Sequence, residues 1–310
     1  MNAHFHADPL RPPATIAEYL DRLRAALAGA DPALVQDALY DAEDYLRSEM
    51  AANPGRSEAE VIAAVAGSYG APDEVADIYR DTEVRVQTAL QPPKRRKPRT
   101  TLGQFFGVAL EPRTYAALFY MLLSLATGIF YFTWVVTGAS LSLGLSVLII
   151  GIPFVILFFG SVRVLSLVEG RLVEAMLGER MPRRPFYVST NATLMGRIAE
   201  MFTDLRTWAT MLYMLLMLPL GILYFTLAVT MLSVSLAFIF APVVVLLESV
   251  GLLVFGSDIE VVGQPYQMPF LFLGGVLLFF GTLHMARGIG RLHAQLAKHM
   301  LVQAGSRHVG

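Results

Sequence analysis

A stretch of the chain occurs twice. Arg113-Thr114-Tyr115-Ala116, Tyr120-Met121-Leu122-Leu123 and Gly128-Ile129-Phe130-Tyr131-Phe132-Thr133 return as Arg206-Thr207-Trp208-Ala209, Tyr213-Met214-Leu215-Leu216 and Gly221-Ile222-Leu223-Tyr224-Phe225-Thr226. The trailing Thr137, Ser140 and Ser142 likewise answer to Thr230, Ser233 and Ser235. Roughly 18 of 31 aligned positions are identical at a constant offset of about 93 residues, which is beyond chance. The unit is apolar and long enough to cross a hydrocarbon layer of ~30 Å. Such a chain is a membrane body made of two copies of one unit, with a soluble piece in front.

Composition agrees. The chain is 55% hydrophobic and 16% charged, with a mean hydropathy of +0.53, values of the membrane class. Charge is unevenly placed: Ala14 to Leu90 holds about 15 acidic against about 6 basic residues, so an acidic head precedes a basic body. There is no cysteine, which excludes disulfides and thiolate chemistry. Met1 to Pro13 lacks an apolar core, so it reads as a disordered lead-in rather than a secretory signal.

Four helices are legible in the head, residues 14–90. Thr15-Ile16-Ala17-Glu18 and Ser57-Glu58-Ala59-Glu60 have capping-box spacing. Asp31-Pro32 is an N-cap followed by proline at the first helical position. Gly29, Asn53-Pro54-Gly55 and Gly67 to Gly70 are stops, and Pro72 opens the fourth helix. Apolar stripes (Ile16, Tyr19, Leu20, Leu23 and Leu27; then Leu34, Val35, Ala38, Leu39, Ala42, Tyr45 and Leu46; Val61, Ile62 and Val65; Val75, Ile78 and Tyr79) need one another as partners.

Glu18-Tyr19-Leu20-Asp21-Arg22-Leu23, Asp41-Ala42-Glu43-Asp44-Tyr45-Leu46, Gly55-Arg56-Ser57-Glu58 and Gly70-Ala71-Pro72-Asp73-Glu74-Val75-Ala76 together resemble the HAAS signalling domain, a helical cytoplasmic module of bacterial membrane proteins. The resemblance implies signalling through protein contact, often beside PadR-like transcription regulators, and no catalytic residue. Asp41, Glu43, Asp44, Asp73 and Glu74 form the candidate signalling surface; a merely solvated face is the plainer reading. The linker at 91–104 is proline-rich and basic. Lys94, Arg95, Arg96, Lys97 and Arg99 suit anionic lipid headgroups, each worth on the order of 1 kcal/mol near an anionic leaflet, and the same run is a candidate basic partner for the acidic face. Direct nucleic-acid binding is not expected.

In the body, repeat 1 spans residues 105–190 and repeat 2 residues 191–310. Tyr115 to Thr137 is read as a crossing, Gly138-Ala139-Ser140 as a tight turn, and Leu141 to Leu165 as the return. From Arg163 onward the pattern suggests a helix sliding onto the membrane surface. Repeat 2 crosses from Trp208 to about Thr230. Placing all Lys and Arg outside the spans on one side favours four crossings over five. Residues 233–256 are then a re-entrant hairpin hinged near Pro242. Both termini fall on the cytoplasmic side of a bacterial inner membrane. The copies are parallel, which implies a pseudo-two-fold along the membrane normal.

Leu218-Pro219-Leu220-Gly221-Ile222-Leu223-Tyr224-Phe225, Ile150-Gly151-Ile152-Pro153 and the ending Arg287 to His293 resemble the "putative sensor" membrane domain, which in actinobacteria often precedes a histidine kinase. No kinase module follows here before Gly310, so the signal is expected to leave by another route.

Candidate sensing or inter-repeat residues are Glu248, Pro153, Pro219, Pro242, Gly128, Gly221, Tyr131 and Tyr224. Glu248 stands out as an ionisable group in an apolar run; an outer-interface position is the plainer reading. Tyr131, Tyr224, Trp134 and Trp208 also suit interface anchoring, and His284, His293 and His299 suit surface positions better than metal ligation. No phosphate loop, nucleophile elbow, zinc motif or dinucleotide fingerprint occurs, so no enzyme, cofactor or metal is expected. The fold class is all-α, a small cytoplasmic four-helix domain plus a polytopic helical membrane domain of two parallel repeats. The expected function is a membrane sensor reporting to a cytoplasmic partner, with homo-oligomers admitted. A transporter or export accessory subunit is the first rival, disfavoured by an apparent lack of buried polar side chains. A membrane-shaping scaffold is the second.

Overall fold

The computed structural model describes residues 12–90, 100–145, 151–184, 205–252 and 265–302, and every regular element among them is helical. The chain divides into two compact units, Met1–Arg95 with Met181–Ala199, and Arg96–Arg180 with Glu200–Gly310.

The first unit contains α1 (Ile16–Ala26), α2 (Pro32–Ala52), α3 (Glu58–Ser68) and α4 (Pro72–Leu90). Their ends follow local chemistry. Thr15 Oγ1 accepts from the Glu18 amide at 3.1 Å, while the Glu18 carboxylate reaches past Thr15 to the Ala14 N–H at 2.9 Å. The Asp31 carboxylate caps α2 through the Ala33 N–H at 2.9 Å. The box at α3 is complete, with Ser57 Oγ taking the Glu60 N–H and the Glu60 carboxylate taking the Ser57 N–H. That second contact holds the Glu60 carboxyl below the usual carboxylate range. The turn between α3 and α4 is made at Gly70, whose φ of +116° suits glycine; Gly67 stays helical.

Tyr19, Leu23, Leu27, Leu46, Ile62 and Val75 build the core of this unit. Full burial of each large apolar chain stabilises by about 1.5–3 kcal/mol. Ile78, expected in the α4 stripe, is 59% exposed. α4 turns Val75, Ala76 and Tyr79 inward, and Ile78 falls outside that arc. Two phenols tie the helices: Tyr19 donates to the Gly70 carbonyl at 2.8 Å and Tyr79 to Asp41 Oδ2 at 2.9 Å. Burial raises both phenols well above their ordinary ionisation range, so they remain donors.

The second unit contains α5 (Thr101–Gly107), a 3-10 turn at Val108–Leu110, α6 (Pro112–Leu145), α7 (Gly151–Leu177), α8 (Leu205–Ser249), a 3-10 turn at Pro265–Gln267 and α9 (Met268–Leu301). α6, α7, α8 and α9 are each long and apolar enough to cross a bilayer.

Three readings of the body are corrected. α6 runs straight through Gly138-Ala139-Ser140 to Leu145. Gly138 is small because of packing: a Cβ there would lie 2.2 Å from the Phe158 ring. Residues 233–249 do not reverse; α8 is one helix containing both Pro219 and Pro242. Proline removes a single ladder bond, which bends an apolar helix without ending it. Finally, Leu165 to Leu177 continues α7, with Glu169, Gly170 and Val173 buried. The helix stops at Gly178, in the left-handed region at φ +77°, whose N–H meets the carbonyls of Val173 and Glu174.

The duplication is visible in the packing. Every buried position of α6 recurs 93 residues later as a buried position of α8, including Thr114 with Thr207, Met121 with Met214, Val135 with Ala228 and Ser142 with Ser235. The second helices match at an offset of 124: Phe158, Phe159, Val162, Glu169, Gly170 and Val173 answer to Thr282, Leu283, Ala286, His293, Ala294 and Ala297. α6 and α8 cross at their glycines. A Cβ on Gly128 would stand 2.4 Å from the Met217 carbonyl oxygen, and one on Gly221 would stand 2.3 Å from the equivalent Ser124 oxygen. Around this seam, Phe119, Ile129, Phe130, Trp134, Ile222 and Leu223 remain exposed, a surface suited to lipid.

Candidate functional site: a polar cluster on the repeat axis

Six side chains meet inside the four-helix body. α6 contributes Tyr120 and Tyr131, α7 Glu169, α8 Tyr213 and Tyr224, and α9 His293. Glu169 is 0% exposed and His293 is 1% exposed. The Tyr120 hydroxyl donates to Glu169 Oε1 at 2.6 Å and also lies 2.6 Å from His293 Nε2. Its repeat partner Tyr213 does the same, at 3.0 and 2.9 Å. Tyr131 donates to the second carboxylate oxygen, Oε2, at 3.0 Å. Its partner Tyr224 lies 3.4 Å from His293 Nδ1, ring edge to face.

The cluster therefore obeys the same two-fold as the helices. Tyr120 and Tyr213 are related across the axis, and each touches both central groups. Tyr131 and Tyr224 flank them, each on the central group of its own repeat. Only the centre breaks the symmetry, with a carboxylate in one copy and an imidazole in the other.

Proton counting limits its states. Each phenol has one proton. With Tyr120, Tyr131 and Tyr213 all donating to the carboxylate, the ring nitrogen facing Tyr120 and Tyr213 must itself carry hydrogen. His293 is then either the Nε2–H tautomer, with Tyr224 donating to Nδ1, or the imidazolium, with Nδ1–H donating to Tyr224. One proton and one hydroxyl rotation separate the two. The first state pairs every polar atom of the cluster, the condition for keeping ionisable groups inside a bundle; in the second the Tyr224 hydroxyl hydrogen must turn away from the ring.

Near the charged helix ends, a cleft of about 90 Å³ is lined by Glu111, Arg113, Ala117, Leu177, Arg287, Gly290 and Arg291. Arg287 pairs with Glu111 at 2.8 Å. Ala117 and Gly290 stand one turn from Tyr120 and His293 on their helices. The volume suits a few waters and is well short of the ~300 Å³ at which small-molecule sites begin.

Two residues at the centre, Glu169 and His293, overturn sequence expectations. His293 is not a surface histidine, and buried polar side chains are present. Of the sequence candidates, Tyr131 and Tyr224 lie in the cluster, and Gly128 and Gly221 lie at the crossing of α6 and α8. Pro219 is exposed on α8 beside that crossing, and Pro153 is exposed in the first turn of α7. Pro242 is inside α8, and Glu248 is exposed one residue before its end, away from the cluster. Lys94, Arg95, Arg96, Lys97 and Arg99 lie outside the described residues. In the head, Asp41 bonds Tyr79 and pairs with Arg184, Glu43 pairs with Arg47, the Glu74 carboxylate takes the Ala71 N–H, and Asp44 and Asp73 are exposed.

Comparison with protein families accounts for both units. Residues 120–301 match the family model described as "Putative sensor", and the chain belongs to that family. Residues 18–77 match the HAAS model. The chain is a membrane protein with a sensor and signalling role, and neither family is an enzyme family. Comparison with curated proteins and with solved structures gave no match.

Proposed function

We propose that the body senses through the packing of its two repeats about the Glu169–His293 cluster, and that the acidic HAAS head reports that packing to a cytoplasmic partner such as a PadR-like regulator. The observation that carries this is the buried, pseudo-symmetric centre itself. Ionisable groups inside a membrane body are a functional signal by default. Here they join all four long helices, and one proton separates two arrangements of the centre. A stimulus acts by favouring one arrangement over the other. Four crossings would return the chain to its starting side, and the basic helix ends support a cytoplasmic position for that side, at an inner membrane.

The absence of cysteine makes the test direct. Val168 and Leu292 are exposed, repeat-equivalent positions on α7 and α9. Cysteines there, spin-labelled in lipid nanodiscs, report the distance between the copies. Glu169→Gln should shift the distance distribution, and removing residues 14–90 should abolish partner capture with that distribution unchanged. A distribution indifferent to Glu169→Gln removes the reading.

The polar centre also reopens the transporter reading, because a buried Glu, His and Tyr set could relay a proton. Against it, the backbones of α6 and α8 touch at Gly128 and Gly221, which leaves no passage there. Proton flux in reconstituted vesicles decides between the two.

A further inference from the structure

The first unit holds a captured segment of its own chain. Met181–Arg184 belongs to the same compact unit as the head. Two successive backbone N–H groups, those of Arg183 and Arg184, donate to a single oxygen, Asp37 Oδ1, at 2.7 and 2.9 Å. The Gln36 amide donates from Nε2 to the Arg184 carbonyl at 2.8 Å. Arg184 Nε pairs with Asp41 Oδ1 at 2.9 Å, and its guanidinium stands 5.8 Å from the centre of the Tyr40 ring. Gln36, Asp37, Tyr40 and Asp41 fall on one face of α2 by helical spacing, so one helix makes the whole site.

This is peptide-reading chemistry. A carboxylate that takes two consecutive amides recognises main chain, tolerates most side chains and rejects proline at either amide. The Tyr40–Asp41 corner adds a preference for arginine at the second position. Asp37 is 5% exposed with the segment seated on it, and displacing the segment strips its carboxylate of two charge-assisted donors, so a replacement occupant is favoured over none. The resident fit also has a gap. Gln36 Oε1 is buried and meets no donor among the described residues, so a segment with one more donor would fit better.

We propose that the Gln36–Asp37–Asp41 face of α2 is a peptide-docking surface, that Met181–Arg184 is its resident occupant, and that an arginine-bearing segment of a protein partner displaces it. The connector between the membrane repeats and the partner then compete for one site. This requires only the head, and holds or fails independently of what the membrane cluster senses.

The test uses the full chain in detergent micelles and a fluorescent peptide copying residues 180–187. Arg184→Pro removes one resident amide and the guanidinium at an exposed position, and should raise peptide affinity by about tenfold or more over the parent. Adding Asp37→Asn should abolish that gain. Independently, tryptic cleavage of the Arg183–Arg184 bond, followed by mass spectrometry, should be slow in the parent and faster in Asp37→Asn or with excess peptide. The proposal is overturned by equal peptide affinity in parent and Arg184→Pro, by peptide binding that survives Asp37→Asn, or by a cleavage rate that neither change affects. Helical circular dichroism of each variant separates release of the segment from loss of the domain.

Discussion

Glu169 and His293 occupy the same seat in two copies of one unit, and each lies within hydrogen-bond distance of both Tyr120 and Tyr213. The two seats face each other across the repeat axis, so the content of one constrains the other.

Exchange is therefore informative. Glu169→His alone places two imidazoles on the axis, and His293→Glu alone places two carboxylates there. Each should lower stability in detergent by about 3 kcal/mol or more, the scale of a broken buried pair. The double exchange restores one acid and one imidazole among the same phenols. It should recover at least about half of the summed loss, a coupling typical of residues sharing one network. Simple additivity in thermal unfolding would show that the cluster lacks this symmetry.

The glycine crossing makes a second symmetric prediction. Gly128→Ala and Gly221→Ala each force a methyl into a backbone carbonyl of the other repeat, so the helices must separate. Each should destabilise by about 1–3 kcal/mol or more, and by similar amounts. Gly274→Ala, where a Cβ meets nothing within 4 Å, is the control and should be neutral. Unfolding midpoints of the three variants in one detergent check this.

In the head, Tyr19→Phe keeps the ring in the core and deletes the donor to the Gly70 carbonyl. The loss should be about 1–3 kcal/mol, because a buried acceptor is left without its partner. Hydrogen exchange of α1 and of the α3–α4 turn should accelerate together. Faster exchange in α1 alone would mean that the phenol does not link the two.

The Glu60 cap has a pH signature. Its carboxyl is held below the ordinary value of 4.5 in the folded chain by the Ser57 N–H and hydroxyl. A lowered folded value stabilises above the unfolded value, and that contribution disappears as pH falls through the lowered one. Protection of the first turn of α3 should thus weaken only below about pH 4.5. Glu60→Gln should flatten that dependence. Carboxyl titration by NMR reads the shift directly.

The helices of the head were legible because their ends are local. Thr15, Asp31-Pro32, Ser57 and Gly70 act on residues within a turn, and an eye on spacing finds them. The four long apolar helices were legible from length and apolarity. What failed were breaks read into apolar helices at Gly138-Ala139-Ser140 and Pro242. In water such residues signal turns; here Gly138 accommodates Phe158 and Pro242 lies within one continuous helix. Glu169 and His293 were missed because burial of a polar group is decided by helices far away in sequence. A signal existed. Aligning Arg163 with Arg287 sets Glu169 opposite His293, and Tyr120 and Tyr131 recur as Tyr213 and Tyr224.

The unequal centre also explains what tandem duplication offers over self-association. A symmetric pair of separate chains must present identical residues at its dyad, either two acids or two bases in a confined space. Joining both halves covalently frees each to diverge, so complementary partners can stand where symmetry would impose a clash of like charges.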